Sequence, residues 1–159
     1  MKGLKGAVVT FSCLWLAGVL QANATLLMAF GAMPDFILTT AVVLSAWSGR
    51  RTAATIGFFA GLIHGSLFSS SIGYYIVSRT CACFGVSWSR RLDIELSFWL
   101  IGVTAFLATA FVQAFQLFLP PPQNILRLAV DTIMTATYNG VLAMPLYALL
   151  KKILDPVTI

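Results

Sequence analysis

Apolar runs follow one another along almost the whole chain, and only short breaks separate them. We predict helices from these runs at residues 6–28, 35–49, 52–70, 72–88, 96–119 and 125–150. Glycine, proline, serine or charged residues interrupt the pattern at 31–34, 49–51, 69–71, 88–95 and 120–124. Because none of these breaks is long enough to fold separately, the pattern predicts a single domain over residues 1–159. The second run is short and would reach only about 22 Å as a helix.

The composition indicates that these helices lie in a membrane. The chain of 159 residues is 59% hydrophobic and only 9% charged, with a mean hydropathy of +0.91. An ordinary soluble domain carries far more charge than this. A helix of roughly 20 residues spans a bilayer, so the length allows six spans and little else. We therefore expect an all-α integral membrane protein, a compact bundle of about six transmembrane helices in contact with the lipid bilayer.

The basic residues predict how this bundle is oriented. In a six-span arrangement, eight of the ten Lys and Arg residues fall on one side, in pairs at helix ends. These residues are Lys2, Lys5, Arg50, Arg51, Arg90, Arg91, Lys151 and Lys152. The positive-inside rule then places both termini in the cytoplasm. The net charge of +5 is explained by orientation and by anionic headgroups, so we expect no nucleic-acid partner.

The N-terminus also fits a second interpretation. Lys2 and Lys5, the apolar run from Ala7 to Leu20 and the triplet at 22–24 have the form of a secretory signal, whose cleavage would leave five spans. We favour an uncleaved anchor, because the apolar run resumes and continues to Phe30.

The sequence offers little for catalysis or for metal binding. It contains one histidine and three cysteines, and Cys81 and Cys83 point to different sides of a helix. It carries no nucleophile elbow and no glycine-rich phosphate loop. We expect a protein that is not an enzyme and that needs no cofactor or metal.

Polar residues inside the predicted spans are costly in hydrocarbon and need partners. Five of them lie about 9 to 10 Å from the outer end of their spans, counted at 1.5 Å per residue. These are Gln21, His64, Arg79, Gln113 and Asp131. The layer has two interpretations: an internal network in which Arg79 pairs with Asp131, or an outward-facing pocket for a small polar ligand or a proton. We favour the internal network, although the counted depths are compatible with both interpretations.

The stretch GFFAGLIHG in the third run predicts a helix contact. Gly57, Gly61, Gly65 and His64 fall within about 100° of one another around a helix. Small residues at a spacing of four let two helix backbones approach closely in a membrane. We expect this face to meet another helix, either of this chain or of a partner, with His64 as a hydrogen-bonded packing residue.

Several of these segments together resemble the bacterial rod shape-determining protein MreD. The similar stretches are Pro34-Asp35 opening a short second span, Gly57 and Gly61 in the third, and two motifs in the last span. The last-span motifs are Tyr138-Asn139-Gly140 and Pro145-Leu146-Tyr147. They extend over roughly two thirds of the chain. Members of that family often carry an acidic residue after the glycine-rich third span, where this chain has His64 and Gly65.

The resemblance implies a scaffold of the cell-elongation machinery in the cytoplasmic (inner) membrane. Its partner would be an MreC-like protein and, indirectly, MreB filaments, the RodA glycosyltransferase and a penicillin-binding transpeptidase. A second class stays open, because the length, the span count and the polar layer also resemble the substrate-binding component of energy-coupling-factor vitamin transporters. Fold alone does not separate the two.

Overall fold

The described part of the chain is helical throughout. The computed structural model describes residues 4–23, 33–68, 71–89, 97–118 and 124–154. Its helices are α1 (Leu4–Ala22), α2 (Phe36–Ala46), α3 (Arg50–Phe68), α4 (Ile72–Val86), α5 (Phe98–Ala114) and α6 (Ile125–Leu154). A short 3₁₀ helix, Phe115–Phe118, extends α5. The all-α prediction is therefore confirmed, and each helix lies within the apolar run that predicted it or overlaps most of it.

Membrane-spanning length is clear for one of the described helices. The segment Ile125–Lys152 of α6 is long and apolar enough to cross a bilayer. Three further segments are apolar but shorter, namely Gly6–Ala22, Phe36–Ala46 and Phe98–Ala114. A bundle that crosses the membrane six times stays a prediction, as does its orientation, which depends partly on Lys2, Arg90 and Arg91 outside the described residues.

Helix α2 is the centre of the bundle. All eleven of its residues are buried, and it contacts each of the other five helices. Its sequence, FILTTAVVLSA, is apolar on every side and therefore has no face suited to an aqueous surface. At its end, the Trp47 ring stacks on Tyr147 of α6 with the ring centroids 4.8 Å apart. The other helices pack around this short central element.

Helices α3 and α4 form the most extensive helix pair, and the glycine face of α3 explains how. A Cβ atom added to Gly57 would lie 2.7 Å from Thr80 Cα, and one added to Gly65 would lie 3.0 Å from Ile72 Cα. One added to Gly61, midway, would collide with the backbone of Tyr75 and Ile76. The two backbones therefore pack antiparallel at a separation that leaves no room for a side chain at Gly57 or Gly61. The face predicted to meet a helix meets α4 of the same chain.

Helices α5 and α6 make a second close pair. Gly140 lies where a Cβ would be 3.0 Å from the carbonyl oxygen of Gly102. The first two turns of α6, by contrast, stand clear of the bundle, and Ile125 and Leu126 are both largely exposed. Helix α6 is thus packed along its later part and free at its start.

Candidate functional site

The candidate site begins at the residue that starts helix α2. Pro34 precedes Asp35, and Asp35 is the N-cap, whose carboxylate accepts a hydrogen bond from Leu38 N at 2.8 Å. This is a favourable arrangement, because the first backbone N–H groups of a helix have no partner within the helix. The second carboxylate oxygen of Asp35 pairs with Nη2 of Arg79 from α4. The cap of the central helix is therefore also half of a buried ion pair.

His64 of α3 completes a cluster of three titratable groups. Its Nδ1 lies 2.8 Å from Nη2 of Arg79 and 3.6 Å from the nearer carboxylate oxygen of Asp35. A guanidinium can only donate hydrogen bonds, so its contact with Nδ1 is a hydrogen bond in the tautomer that carries its proton on Nε2. The His64 ring also packs against Phe68 and Tyr75, with ring centroids 4.7 and 4.6 Å away. One guanidinium nitrogen thus joins the carboxylate to the imidazole.

Arg79 is the most deeply buried member of the cluster. It is 1% exposed, whereas the side chain of Asp35 is 16% exposed. Its guanidinium carbon lies 5.0 Å from the centre of the Tyr75 ring, a favourable cation–π distance. Nε and Nη1 of Arg79 are buried and have no hydrogen-bond partner among the described residues. Among the described residues, Asp35 neutralises the charge of Arg79, and two nitrogen donors of Arg79 have no hydrogen-bond partner.

Two amide side chains hold the same segment from the other side. Gln21 of α1 donates to the carbonyl oxygen of Pro34 at 3.0 Å and accepts from Phe36 N at 2.7 Å. Asn139 of α6 accepts from Asp35 N at 2.9 Å and donates to Oγ1 of Thr109 in α5 at 3.1 Å. The carbonyl oxygen of Pro34 and the backbone N–H groups of Asp35 and Phe36 are therefore all hydrogen-bonded to these two side chains.

The network draws one side chain from each helix or its cap. The contributors are Gln21 (α1), Asp35 (cap of α2), His64 (α3), Arg79 (α4), Thr109 (α5) and Asn139 (α6). Since the members come from positions up to 118 residues apart, from 21 to 139, only the complete bundle assembles it. We call this set the α2-cap network.

The structure brings three residues of the predicted polar layer into the α2-cap network, namely Gln21, His64 and Arg79. The predicted pair of Arg79 with Asp131 is not formed, because Arg79 pairs with Asp35. The side chain of Asp131 is 59% exposed, and its ion-pair partner among the described residues is Arg127, at 3.9 Å. The depth count failed because it started at the first residue of α6, and that helix begins outside the packed bundle. Gln113 is half-buried and lies outside the α2-cap network.

The residues of the other motifs are also placed. Of the last-span motifs, Asn139 joins the α2-cap network, Gly140 meets α5, and Tyr147 stacks on Trp47. Tyr138 is half-buried and Pro145 lies within α6 on an exposed position. The sequence singles out Asp35 and Asn139 only through the family-like motifs, and it gives no signal for Thr109. A Pro-Asp pair directly before an apolar run was the available signal, because it predicts a charged N-cap inside the bundle.

The side chains of the α2-cap network bond to one another and to the start of α2. Its one carboxylate and one guanidinium form an ion pair. Among the described residues, no three His, Cys, Asp or Glu side chains lie close enough together to hold a metal ion. The cysteines are free, with Cys81 exposed and Cys83 buried on opposite sides of α4 as predicted. Comparison of the chain with protein-family models, with curated proteins and with solved structures gave no match.

Proposed function

We propose that this protein is a non-enzymatic scaffold subunit of the bacterial cell-elongation machinery. It would cross the cytoplasmic membrane six times with both termini in the cytoplasm, and would bind an MreC-like protein with a single span. Through that partner it would support lateral peptidoglycan synthesis by RodA and a penicillin-binding transpeptidase along MreB filaments. This proposal comes from the motif resemblance, and the geometry of the bundle supports it at three points.

The observation that carries the proposal is the hydrogen bond from Asp35 N to Asn139 Oδ1. Two of the motifs that carry the resemblance are Pro34-Asp35 and Tyr138-Asn139-Gly140, and Asp35 and Asn139 are 104 residues apart in the chain. In the structure they are direct neighbours, 2.9 Å apart at this bond. Because Asp35 and Asn139 share this hydrogen bond, there is a physical reason for the two motifs to occur in one chain. Two short motifs that do not touch would have no such reason.

The outer surface of the bundle supports the membrane part of the proposal. Large apolar side chains are exposed on every described helix except α2, among them Phe11, Trp15, Trp99 and Leu107. A soluble monomer rarely exposes contiguous apolar surface on this scale. In a bilayer the same surface would face lipid. Helix α2, at eleven residues or about 16 Å, would be held inside the protein and need not span the hydrocarbon itself.

A scaffold role fits the way in which the interior is used. The polar groups of the α2-cap network bond mainly to one another, and the glycine face of α3 is filled by α4. A partner helix would therefore bind to the outer surface of the bundle rather than to GFFAGLIHG. This differs from the expectation that the glycine face might receive a partner directly.

Gene deletion in a rod-shaped host tests the proposal. We expect the cells to lose their rod shape, and a plasmid copy to restore it. Affinity purification from the restored strain should bring down a single-span membrane protein. Cells that keep a normal rod shape without the gene, and that instead require a vitamin, would refute the scaffold function.

A second function is favoured by one observation, the two unused donors of Arg79. In a substrate-binding membrane component, Nε and Nη1 would be available to bond an oxygen atom of a small polar ligand. Mass spectrometry of small molecules extracted from the purified protein tests this. A stoichiometric organic ligand that is lost in Arg79→Met would establish the transporter-like function, and the absence of any such ligand would favour the scaffold.

A further inference from the structure

A groove runs between α1 and α3 on the outside of the bundle. It has a volume of about 320 Å³. Its walls include Ala7, Thr10 and Phe11 of α1 and Thr55, Ile56 and Phe59 of α3. The two helices run parallel here, since the early residues of α1 face the early residues of α3. Farther along, Gly18 lies close to Ile63, where an added Cβ would be 3.1 Å from its side chain, and closes the groove.

The groove is apolar in spite of its threonines. Thr10 donates its hydroxyl to the carbonyl oxygen of Gly6 at 2.8 Å, and Thr55 donates to that of Arg51 at 2.9 Å. With these hydroxyl protons bound to the backbone of their own helices, the threonines contribute mainly their methyl groups to the lining. Phe11 and Phe59 are both exposed large aromatic side chains at this site. The walls would therefore hold a hydrocarbon chain rather than a polar molecule.

One end of the groove is basic. Because α1 and α3 are parallel, their first residues lie at the same end, and α3 begins there with Arg50 and Arg51. Both arginines are exposed, but the Arg50 guanidinium lies over the Trp88 ring at the end of α4, 5.4 Å from its centre. Arg51 precedes the groove residue Thr55 by one helical turn. Asp35 and Asp131, the acidic residues of the described chain, pair with arginines elsewhere. This end therefore attracts anions.

The lining and the charge of the groove favour a lipid chain. Its walls are apolar along their length, and a basic residue lies near one end. A single acyl chain is thin enough to enter it, and a phosphate at the end of that chain would lie near Arg51.

We propose that this groove binds one acyl chain of an anionic phospholipid, with the lipid phosphate at Arg51. The inference depends on the membrane location in the proposed function and not on the scaffold role. It makes the cytoplasmic end of α1 and α3 a lipid site with a headgroup preference, beyond the general contact of the outer surface with the bilayer.

Lipid titration of the purified full chain tests the site by native mass spectrometry. The probes are phosphatidylglycerol and phosphatidylcholine with identical acyl chains. Ala7→Phe fills the groove from an exposed position, and we expect it to weaken binding of both lipids about tenfold, the equivalent of roughly two buried methylene groups. Ala148→Phe, at an exposed position on α6, is the matched control and should leave binding unchanged.

The headgroup preference is tested by a separate pair of variants. Arg51→Gln should lower the preference for phosphatidylglycerol about fivefold and leave phosphatidylcholine binding as it is. Arg127→Gln, which removes an exposed arginine at the far end of the bundle, should change neither. Equal lipid binding by Ala7→Phe and Ala148→Phe, or a preference insensitive to Arg51, would overturn the site.

A photoreactive side chain at Thr55 identifies the occupant in native membranes. An adduct with the mass of a phospholipid supports the inference, whereas crosslinking to a protein shows that a polypeptide covers the groove and refutes it. Failure of the lipid site leaves the cell-shape test of the scaffold untouched. Extraction of the chain from membranes by alkaline carbonate would instead overturn the membrane location on which both depend.

Discussion

Replacing Asp35 with asparagine removes the charge that neutralises Arg79 while keeping the helix cap. Asparagine caps a helix about as well as aspartate, so its side chain can still accept the hydrogen bond from Leu38 N. Arg79, which is 1% exposed, would keep only His64 and the Tyr75 ring as partners. Removing one partner of a buried ion pair typically costs about 3 to 5 kcal/mol. We expect a loss of that size in the free energy of unfolding of the bundle.

The opposite single change should be milder. In Arg79→Met, the carboxylate of Asp35 keeps its bond to Leu38 N and is 16% exposed, so it retains some access to solvent. The expected cost is about 1 to 3 kcal/mol, the range for a lost buried partner. The double variant Asp35→Asn/Arg79→Met leaves no buried charge and should cost less than the sum of the two single changes by about 1 to 3 kcal/mol.

Reversible unfolding in mixed micelles, followed by tryptophan fluorescence, measures all four proteins under one condition. The pair Asp131→Asn and Arg127→Met is the surface control, since its charges are 3.9 Å apart and mostly exposed. It should show coupling below about 1 kcal/mol. Additive losses for Asp35 and Arg79, or strong coupling between Asp131 and Arg127, would refute the assignment of the buried pair.

Two further changes test the helix contacts. Gly61→Ala should destabilise the α3–α4 pair by about 1 to 3 kcal/mol through overpacking. Gly85→Ala, on α4 with open space around it, should be neutral or stabilising by up to about 1 kcal/mol. A thermal unfolding experiment in which Gly61→Ala is the more stable variant would contradict the close approach of the two backbones. Asn139→Leu leaves Asp35 N without its acceptor and should cost about 1 to 3 kcal/mol, while Thr137→Val on the exposed side of α6 should stay within about 0.5 kcal/mol. Equal unfolding temperatures for these last two variants would show that Asn139 does not hold the cap.

The positions of the helices could be predicted because apolar runs and their interruptions are local features. Gly57, Gly61 and Gly65 likewise predicted a close backbone contact from spacing alone. The spacing of these glycines does not show which helix makes the contact, because that depends on the tertiary arrangement of the bundle. The same pattern would serve a partner helix or α4 equally well.

The ion pair could not be predicted by counting depth along each span. That method assumes that all helices begin at one level, and α6 begins two turns earlier than the packed bundle. Asp131 therefore lies outside, and Asp35, placed at the edge of its span by the sequence, lies inside. A single aspartate before a short apolar helix was the better signal, because α2 is enclosed on all sides and its cap is enclosed with it.

The long separation between the partners of Asp35 has a consequence for biosynthesis. Arg79 follows Asp35 by 44 residues and Asn139 follows it by 104. At the usual rates of translation, the carboxylate therefore waits roughly 2 to 9 s for its guanidinium and roughly 5 to 20 s for its amide. During that interval the cap of α2 carries an unpaired charge, although the helix behind it is apolar on every side. Under the membrane insertion that the proposed function requires, the start of the central helix therefore keeps an unpaired carboxylate until α4 has been translated, and its hydrogen bonds are complete only when α6 has followed.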